Sequence, residues 1–598
     1  MAIGFKKIRI RIDGRELKEI PAGFRGMEFS QSVGKHHSLS LEFRWDALET
    51  GTSLLTHSAD YIGKEIDLTV IFEESEILKK EEELRFKGIV ECIHSSRKND
   101  VSGDSIVISA ISPDVVLSAN HHSKSFIDKT PDAIVNEIFN DHSLVCDTKV
   151  STAGDNSKRP YTVQYNETSF NFLSRFACSS GQWFYYNGTQ LIFGELNREE
   201  TVELQYGKNL FNFGLQVNIE PFSFGYVAYN YTDTNQQIYK SDDSGKNVKI
   251  SQTGKIAAKN SETLFTHQTL LLYNQNLTTG KEQKNLDHKI LVKKTAKSSK
   301  MVFCTGETDC SLLKIGGGIK IKEKSGGSFV DHGNYTVIDL QHEVKRNGEY
   351  SNRFIAIPEE CKIAFIPAPE SPVCDTQSAV VTDNEDPENM GRIRVRFFWQ
   401  KEDEMSPWLR IVNPYAGHEK GHLFLPEIDE EVIVDFKSGN PEDPYVLGAF
   451  YHAKAFPETW SPKNNDIKAI RTRSGHTIEF HDTEGEEEVW LYDYNKENYF
   501  IKLKTHAKEI TIEAIEHIEL KAKNISILAE KDLKLEATDA TTKAGGNIST
   551  EASGNISSKA SGNMSNEASA NMKIKGGANT TIEAGAKLEE KAAIVKLN

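Results

Sequence analysis

The chain has 598 residues, 26% of them charged, and a formal net charge of −16. That length allows three or four domains, and the acidic balance excludes a general nucleic-acid binder, which needs a basic face. There is no apolar run of about 18 residues, so no membrane-spanning helix is expected. The seven cysteines are scattered without a Cys-x-x-Cys pair, which fits reduced thiols better than disulfides or a zinc site.

From Met1 the chain alternates like a strand and lacks a signal peptide's apolar core. This predicts a protein made and folded in the cytoplasm, with any export by another route. Residues 1–357 read as strands with a few helices. Lys7 to Asp13 alternates as a strand, turned by Asp13 and Gly14. Thr130 and Pro131 open a helix whose face carries Ile134, Val135, Ile138 and Phe139. A second helix is expected over about 169–178, followed by Gly181 and strands at Trp183–Tyr186 and 190–193, hinged at Asn187 and Gly188. Pro358, Pro367, Pro369 and Pro372 mark a linker over 358–377. Residues 378–455 are all-β in pattern, with strands at 392–399, 431–436 and 445–451, and suit a small closed barrel such as an OB-fold. A punctuated stretch from Pro457 to Pro462 enters a neck over 456–507.

Residues 508–598 repeat every eight residues, the mark of a repeat architecture. Asn recurs at Asn547, Asn555, Asn563, Asn571 and Asn579, each after Gly or Ala. A charged column changes sign at each repeat: Lys543, Glu551, Lys559, Glu567, Lys575, Glu583 and Lys591. Each octad reads as a short strand and a corner, and Gly-Asn suits a corner that visits left-handed backbone angles. Eight extended residues span roughly 26 Å, too little to enclose a core from one chain. Three chains, each giving one octad per layer, would form a three-sided prism with Ile548, Ile556, Met564 and Met572 on its axis. If octad n lies beside octad n+1 of a neighbour, each Lys meets a Glu, and a one-octad slip sets like charges together. Such exposed pairs are worth about 0–1 kcal/mol, so register is their expected use. The paired apolar residues begin earlier, at Ile510/Ile512, Ile518/Leu520, Ile525/Ile527 and Leu533/Leu535, with a one-residue slip near Asn524 that predicts a bulge or phase change. About eleven octads would make a rod on the order of 50 Å.

Upstream of the repeat, several stretches resemble one family. YNETSFNFLSR (165–175) and GQWFYY (181–186) are similar to a hub helix and its following strand. YTVIDLQH (335–342) and YSNRFIAIP (350–358) are similar to the hub's end. GRIRVRFFW (391–399), PWLR (407–410), PYAG (414–417), LPEIDEEVIVDF (425–436) and GNPEDP (439–444) resemble its OB-fold, and SGHTIEFHDTEG (474–485) its spike neck. The family is VgrG, the trimeric spike of type VI secretion systems, itself similar to contractile phage tail hub and spike proteins. The resemblance implies a mainly β chain: a hub of two barrel-like subdomains with short helices over 1–357, an OB-fold, and a C-terminal intertwined triple-stranded β-helix. It implies a homotrimer on an Hcp tube ring, gripped by baseplate proteins and sharpened at its C-terminal end by a PAAR-type tip protein. It further implies that the spike is driven transiently through a target membrane, carries effectors or adaptors as partners, and is secreted by the contractile apparatus. The run of octads to Asn598 and the short interval 452–507 predict no toxin or lysozyme domain, hence no enzyme. The alternative is a phage-like or extracellular contractile injection spike with cell-wall hydrolase activity; a surface adhesin would need a signal peptide and an anchor.

No catalytic, cofactor or metal site is predicted. His36-His37 and His121-His122 read as surface loop residues. His476, Glu479, His481 and Asp482 form the densest ligand-like cluster, but alternation puts Glu479 and His481 on one face and His476 and Asp482 on the other, so a polar neck is expected. Gly316 to Gly318 lacks a following helix and a Gly-Lys-Ser/Thr, and reads as a turn. Glu486 to Glu488 reads as a solvated turn.

Overall fold

In the computed structural model the described residues are 5–17, 23–49, 55–72, 82–97, 103–152, 157–196, 201–232, 235–241, 248–267, 269–272, 282–363, 369–460, 464–494 and 496–597. Met1, Pro367, Pro462 and Asn598, which figure in the expectations above, lie outside them. The chain divides into two units, residues 1–458 and 459–598, and each is described by itself.

The first unit is organised by one long strand, Ser328–Val344. It closes a six-stranded ring with Gly318–Ser325, Val202–Tyr206, Leu210–Val217, Val302–Thr308 and Tyr350–Pro358. The same strand also pairs through Asp339 to Val344 with Phe24–Ser32. From there the sheet runs on through Ser38–Arg44, Ser105–Ile111, Glu82–Ser96 and Glu65–Phe72 to Phe5–Ile12. The fold is thus mainly β, a closed six-stranded barrel whose longest strand continues into a second, open run of strands. Local chemistry accounts for the turns and helices. Asp13 and Gly14 both take positive φ (51° and 76°), the geometry a two-residue hairpin requires. The Thr130 hydroxyl accepts from the Ala133 N–H at 3.3 Å and caps helix Pro131–Asp141. Thr168 caps Ser169–Ser180 in the same way at 3.1 Å, and Gly181 at φ 72° ends it.

Two helices, Gln252–Leu264 and Glu282–Ser298, were not anticipated from the sequence. The buried face of the second mixes Leu286 and Ile290 with lysine stems. Lys293 lies 5.4 Å from the Phe224 ring centre and Lys294 4.5 Å from that of Phe222. Charged residues that bury their stems in this way hide the apolar stripe.

The OB region departs in detail from the expected strands. The run from Arg392 to Trp399 forms a strand only over Arg394–Phe397. This lies in a four-stranded sheet with Gln377–Asp383, Glu431–Phe436 and Pro444–Ala449. Two single bridges, Ile393 to Leu409 and Ile411 to Val446, link its outer strands through the segment around 409–411. Its core of Val381, Val395, Phe397, Val432 and Val434 is buried. Side chains tie it to the hub. Gln400 Nε2 donates to Ser125 Oγ at 2.7 Å, and Gln377 Nε2 donates to Tyr165 Oη at 2.9 Å while its Oε1 accepts from Trp399 Nε1 at 2.9 Å. Arg392 is held by Asp386 at 2.7 Å and donates to Tyr231 Oη at 3.2 Å. Its guanidinium holds the Asp386 carboxyl well below the usual range.

His37 is not a surface residue. It is fully buried, because the short Ser32-to-Ser38 connection folds it under the hub barrel. Gln31 bridges it to His342 on the shared strand. Gln31 Nε2 donates to His37 Nδ1 (3.3 Å) and Gln31 Oε1 accepts from His342 Nε2 (3.1 Å), while Tyr350 Oη donates to His342 Nδ1 at 2.7 Å. Neighbouring His36 meets Asp114 at 3.0 Å and Ser118 at 2.9 Å. Burial lowers His37 to about 4 and His342 to about 3. Both are therefore neutral when folded and protonate more readily when unfolded, so stability is full above the ordinary histidine range near pH 6.5 and falls as the pH drops through it. The expected loss is roughly 1 kcal/mol per pH unit for each histidine between pH 6 and 4. Denaturant unfolding of the hub followed from pH 7.5 to 4.5 should show this slope, and His342→Gln should flatten it.

Candidate functional site

The second unit begins as a five-stranded antiparallel meander: Ile467–Arg471, Thr477–His481, Glu488–Tyr492, Tyr499–Lys504 and Glu509–Ala514. Residues 509–514, which the periodicity assigns to the octads, form its last strand. Glu488 opens a strand rather than sitting in a turn, paired with Lys502 at 2.8 Å.

Register puts Ile470, Ile478, Leu491, Ile501 and Ile512 in one cross-strand row and Phe480, Val489, Leu503 and Ile510 in the next. This aliphatic face is the solvent-exposed one. Ile478 is 40% exposed, Leu491 45% and Ile512 60%.

The opposite face carries Thr477, Glu479, Trp490 and Lys502, and it is the more buried. Glu479 is 4% exposed. Its carboxylate accepts from Tyr492 Oη, from His481 Nε2 at 2.5 Å, from Lys496 Nζ at 3.2 Å and from Trp460 Nε1 at 3.3 Å. Burial pushes the Glu479 carboxyl up, but these donors together outweigh it and hold the group below its ordinary value. Arg471 covers Trp460 at 4.7 Å from the ring centre, and Lys496 covers Trp490 at 4.3 Å. Of the four ligand-like residues, only Glu479 and His481 come together. His476 meets Tyr499 at 3.1 Å and Asp482 meets Lys468 at 2.7 Å. Among the described residues no group of three His, Cys, Asp or Glu side chains could hold a metal.

Beyond Ala514 the chain is extended and bends periodically. Bends fall at 545–546, 553–554, 561–562, 569–570, 577–578 and 585–586, eight residues apart, the first five just before the Asn column. Upstream, 530–531, 538–539 and 545–546 include a seven-residue step after Asp539, a further slip besides the one read near Asn524. The corner glycines do not adopt left-handed angles, contrary to the expectation: Gly546, Gly554 and Gly562 have no positive φ. A Cβ on any of the three would meet nothing within 4 Å. In the single chain the axial candidates are exposed: Ile548 62%, Ile556 61%, Met564 55% and Met572 55%. The charged column does not pair with itself. Lys591 meets Glu589 two residues away at 2.5 Å, and no ion pair among the described residues joins Lys543, Glu551, Lys559, Glu567, Lys575 and Glu583. The apolar face of the neck was missed in the sequence. Its signal was available in the i, i+2 pairs Ile478/Phe480, Val489/Leu491 and Ile501/Leu503.

Residues 38–348 match the model of the phage tail baseplate hub family, and residues 377–451 that of the type VI secretion system/phage-baseplate injector OB domain. The chain belongs to the phage tail baseplate hub family. The type VI secretion system spike protein VgrG4b of Pseudomonas aeruginosa is 26% identical over 459 residues, covering 68% of this chain and 55% of that protein. The actin cross-linking toxin VgrG1 of Vibrio cholerae is 22% identical over 450 residues, covering 66% and 38%. The chain thus spans about half or less of the length of these relatives. One chain of a Francisella PdpA–VgrG complex in its lidded form shares the fold, with a TM-score of 0.55 at 10% identity over 85% of this chain and 80% of that one. Hub, OB domain and relatives together make this a VgrG-like baseplate spike protein of the type VI secretion and phage tail class.

Glu479→Ala would leave Lys496, Tyr492 and Trp460 without their acceptor. Removing one partner of a buried charged pair costs about 3–5 kcal/mol, and the partial exposure of Lys496 places the expected loss nearer 2–3 kcal/mol. Unfolding followed by the fluorescence of Trp460 and Trp490 measures it, and Glu479→Gln should recover part of the loss.

Proposed function

We propose that the chain is a homotrimeric, non-enzymatic spike at the tip of a contractile type VI secretion tube, which punctures a target membrane and carries effectors through partner proteins. The observation that supports this best is the inverted neck sheet. Its aliphatic face is exposed while its carboxylate lies buried, and each half-exposed Ile or Leu that becomes covered would gain roughly 1 kcal/mol. A second and third copy of the same sheet supply an apolar surface of matching extent, and closed symmetric assembly is the common solution. The octads favour the same occupant, since their apolar column is exposed in one chain and, among the described residues, no member of their charged column pairs with another. In the trimer Ile548, Ile556, Met564 and Met572 meet on the axis, and the alternating column from Lys543 to Lys591 sets register between chains. The regions in this reading are a hub over 1–357, a linker over 358–377, an OB domain over 378–455, a neck over 456–507 and a spike over 508–598. Beneath the hub sits an Hcp tube ring, a PAAR-type protein caps the C-terminal end, baseplate proteins grip the hub, and the apparatus exports the assembly.

Light scattering on the purified chain should give a trimer, and a monomer with intact fold removes the proposal's basis. The double variant Leu491→Glu/Ile501→Glu should remain monomeric with the hub's thermal transition unchanged. Reversing Lys559 alone should disturb assembly less than reversing the whole charged column; equal effects would count against a register role.

A further inference from the structure

On the sheet that continues from the shared strand, the neighbouring strands Phe5–Ile12, Glu65–Phe72 and Glu82–Ser96 and one turn enclose a hollow of about 200 Å³. Four cations line it, Arg9, Arg11, Arg85 and Lys87, against two carboxylates, Asp67 and Glu83. Register sets them in two rows. Arg9 and Arg85 flank Thr69, and Arg11 and Lys87 flank Asp67. The flanking cations stand two strand spacings apart, about 10 Å at their Cα atoms, so their long side chains can converge on one group between them. Arg85 pairs with Glu83 on its own strand. Among the described residues Arg9, Arg11 and Lys87 make no ion pair.

The hollow is built rather than incidental. Its fourth wall is the turn carrying Thr189, and that turn is pinned to the sheet. The Lys87 N–H donates to the Gly188 carbonyl at 2.9 Å, and Tyr186 Oη donates to the Lys87 carbonyl at 3.0 Å. Gly188 takes φ 104°, and a Cβ there would lie 2.6 Å from the Arg85 carbonyl oxygen, so only glycine permits this approach.

We propose that this hollow seats an acidic, extended segment of a partner protein, whose alternate carboxylates enter the Arg9/Arg85 and Arg11/Lys87 rows. Two residues along a strand advance about 6.6 Å, so both rows are met by carboxylates at positions i and i+2 of an extended peptide. Guanidinium forks suit carboxylates. The chain's net charge of −16 argues against a general affinity for polyanions and confines the attraction to this hollow. The inference is independent of the trimeric reading, because every residue it uses lies in the hub region of one chain.

The test uses the full chain and a fluorescently labelled hexaglutamate peptide, read by anisotropy at low salt. Binding should weaken about tenfold in Arg9→Gln and in Lys87→Gln, remain unchanged in the exposed control Arg346→Gln, and fall with added salt. Circular dichroism melts identify any variant that fails to fold. For such a variant, competition by unlabelled hexaglutamate against modification of Lys87 by an amine-reactive reagent in the native chain serves instead, with protection expected. Absence of binding, or binding indifferent to Arg9 and Lys87, overturns the proposal. Inorganic phosphate competing at the same concentration as the peptide overturns it in favour of a small-anion site, and tighter binding of a single-stranded oligonucleotide of equal charge overturns it in favour of nucleic acid.

Discussion

A sheet that turns its aliphatic face to water and buries its carboxylate leaves its largest apolar surface uncovered within a single chain. The row from Ile470 to Ile512 crosses all five strands and that from Phe480 to Ile510 crosses four, so the uncovered surface is a patch and not scattered residues. Contiguous exposed apolar surface of this kind marks an interface. The other face is already satisfied: Glu479 has donors from four side chains, and Trp460 and Trp490 are covered by cations. The polar face therefore stiffens the sheet, and the aliphatic face is the one left uncovered.

The hub region presents the opposite situation. Its strands share one spine, Ser328–Val344, which belongs to the closed six-stranded ring and to the neighbouring half at once. A packed core crosses that spine, with Phe29 stacked on His342 at 5.4 Å and edge-on to Phe86 at 4.9 Å. The OB region is fastened by the Tyr165–Gln377–Trp399 chain and by Arg392 reaching Tyr231. The hub's main core is packed within one chain, although Phe211, Leu215, Val217 and Phe329 stay exposed. The buried histidine pair gives that core a specific acid sensitivity, because its neutral rings become charged on unfolding at acid pH.

Much of this was legible in the sequence where local chemistry decides the outcome. Thr130-Pro131, Asp13-Gly14 and the 431–436 alternation act through neighbouring backbone, and they formed what their spacing implies. The eight-residue periodicity reappears as evenly spaced bends. The misses share a different cause. Helix Glu282–Ser298 hides its buried face behind lysine stems, and His37 is buried by strands distant in sequence. The hollow at Arg9 and Lys87 exists only through cross-strand register and the approach of Gly188. The neck sheet was obscured because its exposed side is its apolar one, which inverts the usual reading of alternation.

The corner glycines of the octads bear on what surrounds them. Glycine in an extended segment costs roughly 0.5–1 kcal/mol relative to alanine, and that cost is usually offset by a left-handed turn or a close contact. Gly546, Gly554 and Gly562 show neither within their own chain, since none has positive φ and each faces open space where a Cβ would stand. Gly576 differs, because a Cβ there would lie 2.5 Å from the Asn579 carbonyl oxygen. For the other three, the proposed trimer would supply a reason for the missing side chain, a backbone approaching from outside the chain. The same surroundings would suit the column of Ile548, Ile556, Met564 and Met572, whose side chains need cover that one extended chain does not provide. In the proposed trimer, small corners and large axial residues would be two aspects of one constraint, a bore narrow enough that three backbones bend closely around a shared apolar line.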